Sequence, residues 1–267
     1  MKNVLLTISY DGTNFSGWQR QPHKRTVQGE VERVLSTLCK QSIQISGTSR
    51  TDAGVHALGQ RASFKGDFGI PIDRIPIASN HLLAGEGGLL KSTGDIRILE
   101  AKQMPDDFHA RFDSLGKKYI YRIRNAEKPD LFQRNYTYQI EKALDIGAMQ
   151  EAAKAFVGTH DFRCFMASAG QEMESTVRTI YQLNVKKQVS SQSSQEEQIE
   201  IEIMGNGFLY NMVRIITGTL VEVGLGKKRT KEAKHILESK NRCLAGHTAP
   251  PQGLYLVEVY YEKQPWM

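Results

Sequence analysis

The segment Gly47–Gln60 reads GTSRTDAGVHALGQ and sets one carboxylate, that of Asp52, among small and basic residues. Upstream of it, Ile43 and Ile45 alternate with polar residues, as is typical of a strand. The glycines of the segment give the backbone the conformational freedom that a tight turn needs. We therefore expect Asp52 on a loop carried by a rigid sheet. Arg50 supplies a neighbouring cation, which indicates that the acid faces an anionic substrate.

Length and composition limit the possible classes of protein. A chain of 267 residues can bury one large core or two smaller ones, and its net charge of +6 favours a polyanionic partner without proving one. No apolar run in the sequence is long enough to cross a bilayer. The start of the chain becomes polar too early for a signal peptide, so we expect a cytoplasmic protein.

The three cysteines, Cys39, Cys164 and Cys243, are odd in number and widely spaced. They include no Cys-x-x-Cys pair. The sequence therefore indicates neither a disulfide framework nor a zinc site, and we expect all three to be buried thiols.

Hydrophobic periodicity predicts an α+β order of elements. A strand is expected over Val4–Tyr10 and a helix over Thr26–Cys39, with Thr26 as its N-cap. Further strands are expected over Val55–Phe64 (after a short helical turn), Ile96–Glu100, Lys117–Arg124, Ile180–Val185, Ile199–Ile203 and Gly253–Tyr261. Further helices are expected over Ile70–Leu83, Ala143–Phe156, Gly207 to about Val223, and Thr230–Leu237. Residues 85–95 read as an irregular insertion and residues 188–198 as a polar hairpin tip.

Nine sets of short segments occur in the order in which one enzyme family carries them. In chain order they are Tyr10–Gly12, Gly17–Gln19, Thr26–Gln28, Arg50–Ala57 with Gly59–Gln60, Phe108–Arg111, Lys118–Tyr121, His160–Phe162, Met212–Arg214 with Gly218, and Gly253–Leu256. This set resembles the signature of the TruA family of tRNA pseudouridine synthases. Because the matches are ordered and span essentially the whole chain, they are far more specific than one short motif.

The resemblance implies two ferredoxin-like (RRM-like) halves, residues 1–110 with the catalytic Asp loop and residues 111–267, which form one mixed, mainly antiparallel sheet flanked by helices. The active cleft would lie between the halves. It also implies a homodimer that binds tRNA, with no metal, organic cofactor or membrane partner. In the implied reaction, a uridine of the anticodon stem-loop (positions 38 to 40 of tRNA) is detached at N1, turned, and rejoined to its ribose through carbon 5.

The family pattern implies that Asp52 is the catalytic nucleophile, attacking either the ribose or the base. The alternative is an aspartate that only shapes its turn. Arg214 matches the arginine that pairs with this acid, keeps it ionised and orients it. The alternative is an arginine that lies along a helix surface with its charge in water.

Tyr119 matches the tyrosine that stacks on the target uracil and whose hydroxyl can move protons. The alternative is a core tyrosine on an alternating strand, and Tyr121 shares its face. Arg50 is implied to displace the base or hold phosphate, or is simply a solvated charge. Leu256 is implied to line the pocket, or belongs to plain core. For His56, as for His109, a structural role is expected.

Basic clusters could follow the RNA backbone or be solvated faces; they are Arg20–Arg25, Lys117–Lys118, Lys186–Lys187 and Lys227–Arg229. Two features depart from the family pattern: Ser49 replaces the usual glycine, and Ala84–Asp95 is longer than usual. They leave open a related enzyme acting on another RNA, such as ribosomal RNA. A catalytically idle RNA-binding protein or chaperone is the other alternative.

Overall fold

The computed structural model describes residues 1–85, 94–167, 175–189 and 197–267. These residues form two compact units: Met1–Leu115 with Tyr255–Tyr261, and Gly116–Leu254 with Glu262–Met267. Each unit combines strands with helices, which confirms the predicted α+β class. The division into halves 1–110 and 111–267 stays a prediction.

The elements are numbered along the chain. The strands are β1 (Lys2–Tyr10), β2 (Ser46–Gly47), β3 (His56–Gly66), β4 (Ile96–Met104), β5 (Gly116–Asn125), β6 (Tyr138–Ile140), β7 (Gly158–Asp161), β8 (Val177–Val189), β9 (Glu197–Gly205) and β10 (Leu254–Tyr260). The helices are α1 (Val27–Cys39), α2 (Ile75–Leu83), α3 (Ile146–Ala153), α4 (Met212–Gly224) and α5 (Glu232–Ser239). Of the helices in the described residues, none has the length and apolar character needed to span a bilayer.

In the first unit, the strands lie in the order β4-β1-β3-β10. β1 pairs antiparallel with β3 and β4, β2 pairs antiparallel with β3, and β10 pairs parallel with β3. The chain order β1-α1-β2-β3-α2-β4 is the β-α-β-β-α-β order of ferredoxin-like domains. This unit therefore has the mixed, mainly antiparallel pairing that was predicted.

Helix α1 has the two local features from which the sequence predicted it, an N-cap and an apolar face. Thr26 is extended, and its hydroxyl accepts a hydrogen bond from the Gly29 N–H at 3.3 Å, which satisfies one of the free donors at the helix start. Val27, Val31 and Leu35 recur at helical spacing and are buried. The predicted cap and the predicted apolar face are both confirmed.

In the second unit, the strands lie in the order β5-β9-β8-β7, all antiparallel, and β6 pairs parallel with β5. Strands β8 and β9 run further than predicted, since their register extends to Val189 opposite Glu197. Hydrogen bonds between the two backbones hold this extension and do not depend on which side chains the residues carry. Polar residues that were expected in the hairpin tip therefore belong to the strands. Residues 190–196 lie outside the described residues.

Three other expectations need correction, and a fourth lies mostly outside the described residues. The helical turn expected at Val55 is instead a tight turn, after which β3 begins at His56. The helix expected from Gly207 begins at Met212. Cys243 is exposed rather than buried, because it lies in a short surface 3-10 turn. Of the insertion expected at 85–95, residues 86–93 are not described.

Candidate active site

The Asp52 loop lies between β2 and β3 and is held by hydrogen bonds on both sides of the acid. The Trp18 N–H donates to the Thr51 carbonyl at 3.0 Å, and the Val55 N–H donates to the Asp52 carbonyl at 3.2 Å. The hydroxyls of Thr51 and Tyr10 share a hydrogen bond of 2.7 Å, which is buried. The backbone that carries the half-buried Asp52 side chain is therefore fixed.

Two glycines let a neighbouring segment pass directly against this loop. A Cβ on Gly12 would lie 2.0 Å from the Val55 carbonyl oxygen. A Cβ on Gly17, whose φ is +94°, would lie 2.8 Å from the Thr51 carbonyl oxygen. Only glycine fits such a close approach of two backbones without a shift. This contact gives a physical reason for the glycines in the segments Tyr10–Gly12 and Gly17–Gln19.

The base of the loop is anchored in buried polar contacts. The Gln60 amide accepts from the Ser49 N–H at 3.2 Å and donates to the Ser49 carbonyl at 2.7 Å. The Thr48 hydroxyl donates to the Ala110 carbonyl at 3.0 Å. Among the described residues, the buried Ser49 hydroxyl has no hydrogen-bond partner. Ser49 therefore adds a buried polar atom to the loop without a compensating hydrogen bond among the described residues.

His56 is buried at the end of this loop. Its Nδ1 atom accepts a hydrogen bond from the Gly12 N–H at 3.1 Å, and its ring stacks on Tyr255 with centroids 4.8 Å apart. Both contacts are typical of a side chain that fixes structure. They support the expectation of a structural role for this histidine.

The first unit also contains two residues expected at the substrate. Arg50 is exposed, two residues before Asp52. Leu256 lies on β10 opposite Ala57 of β3 and is 0% exposed. Full burial is what its alternative, a plain core position, requires. A role for Leu256 in the pocket wall stays a prediction.

Tyr119 and Tyr121 lie on β5 in the second unit, and their environments differ. The Tyr121 hydroxyl donates to the Pro250 carbonyl at 2.7 Å. Burial raises the pKa of Tyr121 well above 10, although Arg214 acts in the opposite direction. The Tyr119 ring meets Phe208 edge-on, with centroids 5.2 Å apart. The Tyr121 hydroxyl is thus engaged inside the unit, and contact of Tyr119 with a base stays a prediction.

Arg214 lies in the first turn of α4 and is half-buried. Its Nε donates to the Ala249 carbonyl at 2.8 Å, and its Nη1 donates to the Asn211 side-chain oxygen at 2.7 Å. Both acceptors are neutral. They fix the plane of the guanidinium, which is unlike an arginine lying freely along a helix surface.

The predicted site residues thus fall into two groups. Asp52, Arg50 and Leu256 belong to the first unit, and Tyr119 and Arg214 belong to the second. Sequence reasoning missed the supports of Arg214. One signal was available: Asn211 precedes an apolar helix and has a φ of +60°, a backbone state that asparagine tolerates better than most residues.

The pattern of short segments recurs in a wider comparison. The family model described as tRNA pseudouridine synthase matches residues 6–113 and 152–262. The chain belongs to that family. The matched ranges contain Asp52 and Arg214, whereas Tyr119 lies between them. The family predicted from the sequence is confirmed.

Relatives within the tRNA pseudouridine synthase family match over nearly their whole length. The chain is 46% identical to tRNA pseudouridine synthase A of Acetivibrio thermocellus over 98% of the chain and 100% of the relative. It is 45% identical to tRNA pseudouridine synthase A 2 of Clostridium tetani, over 97% and 99%. It is 46% identical to tRNA pseudouridine synthase A of Halalkalibacterium halodurans, over 95% and 90%.

Proposed function

We propose that this chain isomerises uridine to pseudouridine in the anticodon stem-loop of tRNA, with Asp52 as the nucleophile. Family membership supports the reaction class, and the names of the relatives support tRNA as the substrate. The observation that carries the residue assignment is the Asp52 loop. It holds a half-buried carboxylate on a backbone fixed from both sides, within a range that the family model matches.

The reaction breaks the bond between N1 of uracil and the ribose carbon C1′, and forms a bond between carbon 5 and C1′. The proton on carbon 5 is lost and the freed N1 gains one, so the exchange is balanced without an oxidant or a reductant. A carboxylate can act by attacking C1′ or by adding to the base. Both routes need the carboxylate of Asp52 ionised, and both stay open.

Arg214 is the residue that keeps this carboxylate ionised and oriented. A guanidinium pairs with a carboxylate through two parallel N–H bonds and lowers the pKa of the acid. The acceptors on Ala249 and Asn211 support this role, because they orient the guanidinium.

The other substrate contacts follow from side-chain chemistry. Tyr119 stacks on the extruded uracil, where an aromatic ring replaces the stacking that the base loses, roughly 1 to 3 kcal/mol. Arg50, which is exposed, displaces the base or holds a phosphate. Leu256 contributes apolar surface behind the pocket. We further propose that the enzyme works as a cytoplasmic homodimer and uses no cofactor.

Release of tritium from uridine labelled at carbon 5 tests this proposal. Anticodon-arm transcripts should release tritium with the parent enzyme and release none with Asp52→Asn, whose RNA affinity should stay within a few fold. The matched control is Asp107→Asn, an exposed acid of the same unit. If Asp52→Asn released tritium as well as the parent does, the assignment of Asp52 as the nucleophile would be wrong.

The same assay separates the alternatives. Release from ribosomal RNA transcripts but from no tRNA would indicate a related enzyme with another substrate. No release from any RNA, with RNA binding intact, would indicate an idle binding protein.

A further inference from the structure

The loop of residues 245–250, which we call the arginine-support loop, lies directly against helix α4. The Gly246 N–H donates to the Thr219 hydroxyl at 2.9 Å. A Cβ on Gly218 of the helix would lie 1.9 Å from the carbonyl oxygen of His247. Helix and loop are therefore in backbone contact at this point.

His247 ties the arginine-support loop to two other elements. Its N–H donates to the Glu222 carboxylate at 2.9 Å, and its ring Nδ1 lies 3.0 Å from the same oxygen. Because a carboxylate only accepts, the proton of the neutral ring is on Nδ1. The Nε2 atom then accepts from the Tyr138 hydroxyl at 3.2 Å. The imidazole thus joins α4, the loop and β6.

The residues that follow His247 in the loop form hydrogen bonds with Arg214 and Tyr121. Two positions later, the Ala249 carbonyl accepts from Arg214 Nε at 2.8 Å, and the Ala249 N–H donates to the Arg214 carbonyl at 3.1 Å. The next carbonyl, that of Pro250, accepts from the Tyr121 hydroxyl. The position of the Arg214 guanidinium therefore depends on where this loop lies.

We infer that His247 is a positioning residue, which fixes the arginine-support loop and through it the guanidinium of Arg214. The inference rests on the proposed role of Arg214. Bidentate recognition of a carboxylate depends on the plane and the distance of the guanidinium. Loss of the imidazole removes the side-chain contacts of the loop with Glu222 and Tyr138, while the bond from Gly246 to Thr219 and those from the Arg242 guanidinium to Gly246 and Thr248 remain. The loop should stay folded but hold Arg214 less well.

Steady-state kinetics on an anticodon stem-loop transcript test the inference. We expect His247→Ala to lower kcat by about ten- to a hundredfold, since a displacement near 1 Å can cost that much. KM should change by less than about threefold, because binding of RNA is not affected. His247→Asn retains a donor toward Glu222 and should recover most of the loss. The matched control, His235→Ala, removes an exposed histidine of α5 and should match the parent.

A double-mutant cycle shows whether His247 acts through Arg214. Arg214→Lys keeps the charge but loses the fork, so adding His247→Ala to it should cost less than about threefold more. If the two effects multiply, or if His247→Ala keeps kcat within about twofold, the inference is wrong while the proposed function stands.

Two further outcomes can be told apart from those of the double-mutant cycle. A parent-like rate for Arg214→Lys would remove Arg214 from the proposed function, and the positioning inference with it. If His247→Ala does not fold, His247→Gln replaces it in both experiments. Glutamine retains a polar group toward Tyr138 but not the donor to Glu222, so a parent-like kcat for His247→Gln would overturn the inference.

Discussion

Arg214 and Ala249 form a reciprocal pair: the Arg214 side chain donates to the Ala249 carbonyl at 2.8 Å, and the Ala249 N–H donates back to the Arg214 carbonyl at 3.1 Å. The helix start and the loop 35 residues later in the chain are therefore fixed to each other at both backbone and side chain. A displacement of either the helix start or the loop therefore also displaces the Arg214 guanidinium.

Asn211 supports Arg214 in two ways, through its backbone and through its side chain. Its φ is +60°, and its side-chain oxygen accepts from Arg214 Nη1. Asn211→Gly keeps the backbone state and removes only the acceptor, so we expect a lower kcat with little loss of stability from backbone strain. Asn211→Ala should lower kcat equally and also cost about 1 kcal/mol in stability. Thermal melts and turnover rates on the two variants check this, and a fully active glycine variant would contradict it.

Gly12 is required by the backbone contact that supports Asp52. An alanine Cβ there would lie 2.0 Å from the Val55 carbonyl oxygen, so Gly12→Ala should displace the Asp52 loop. We expect a loss of about 1 to 3 kcal/mol in the free energy of unfolding, together with a lower turnover rate. The control is Gly69→Ala, where a Cβ meets nothing within 4 Å. Equal denaturation midpoints for the two variants would refute the packing argument.

Ser49 carries a buried hydroxyl that, among the described residues, has no hydrogen-bond partner. Ser49→Ala should leave stability unchanged or raise it by up to about 1 kcal/mol, because a buried polar atom without a partner is removed. Ser63→Ala is the matched comparison, since the Ser63 hydroxyl accepts from the Ala110 N–H at 3.1 Å and its loss should lower stability. The account fails here if both variants melt at the same reduced temperature.

Glu222 should make stability depend on acid pH. Burial alone would raise the pKa of its carboxyl, but hydrogen bonds from the His247 ring and N–H, together with Lys228, bring the pKa below its usual 4.5. The stability that the ionised form contributes is complete above pH 4.5 and is lost as the pH falls through the lower folded-state value. The melting temperature of Glu222→Gln should therefore lie below that of the parent at pH 7 and approach it toward pH 3. A difference that stays constant from pH 7 to pH 3 would contradict the assignment.

The parts of the fold that were predictable from the sequence depend on local signals. Thr26 and the spacing of Val27, Val31 and Leu35 predicted α1, because a helix cap and an apolar face involve neighbours within a few turns. The extensions of β8 and β9 were missed, because backbone hydrogen bonds to the partner strand hold their polar residues in place. The side-chain pattern of the sequence gives no sign of such bonds.

The site divides in the same way. Asp52 could be proposed as a candidate because its charge stands out in a run of small residues, and the resemblance added Arg214 as a second candidate. The acceptor on Ala249 could not be found, because every residue has a backbone carbonyl and only the fold brings this one to the guanidinium. The contact of Gly12 with Val55 is non-local in the same sense.

The most direct test of the central claim is to map pseudouridine in the tRNA of a strain that lacks this protein and is complemented with the parent or with Asp52→Asn. The account predicts pseudouridine at uridines of the anticodon arm with the parent, and unmodified uridine at the same positions with Asp52→Asn expressed at an equal level. Full modification by Asp52→Asn would contradict the claim that the Asp52 carboxylate carries out the reaction.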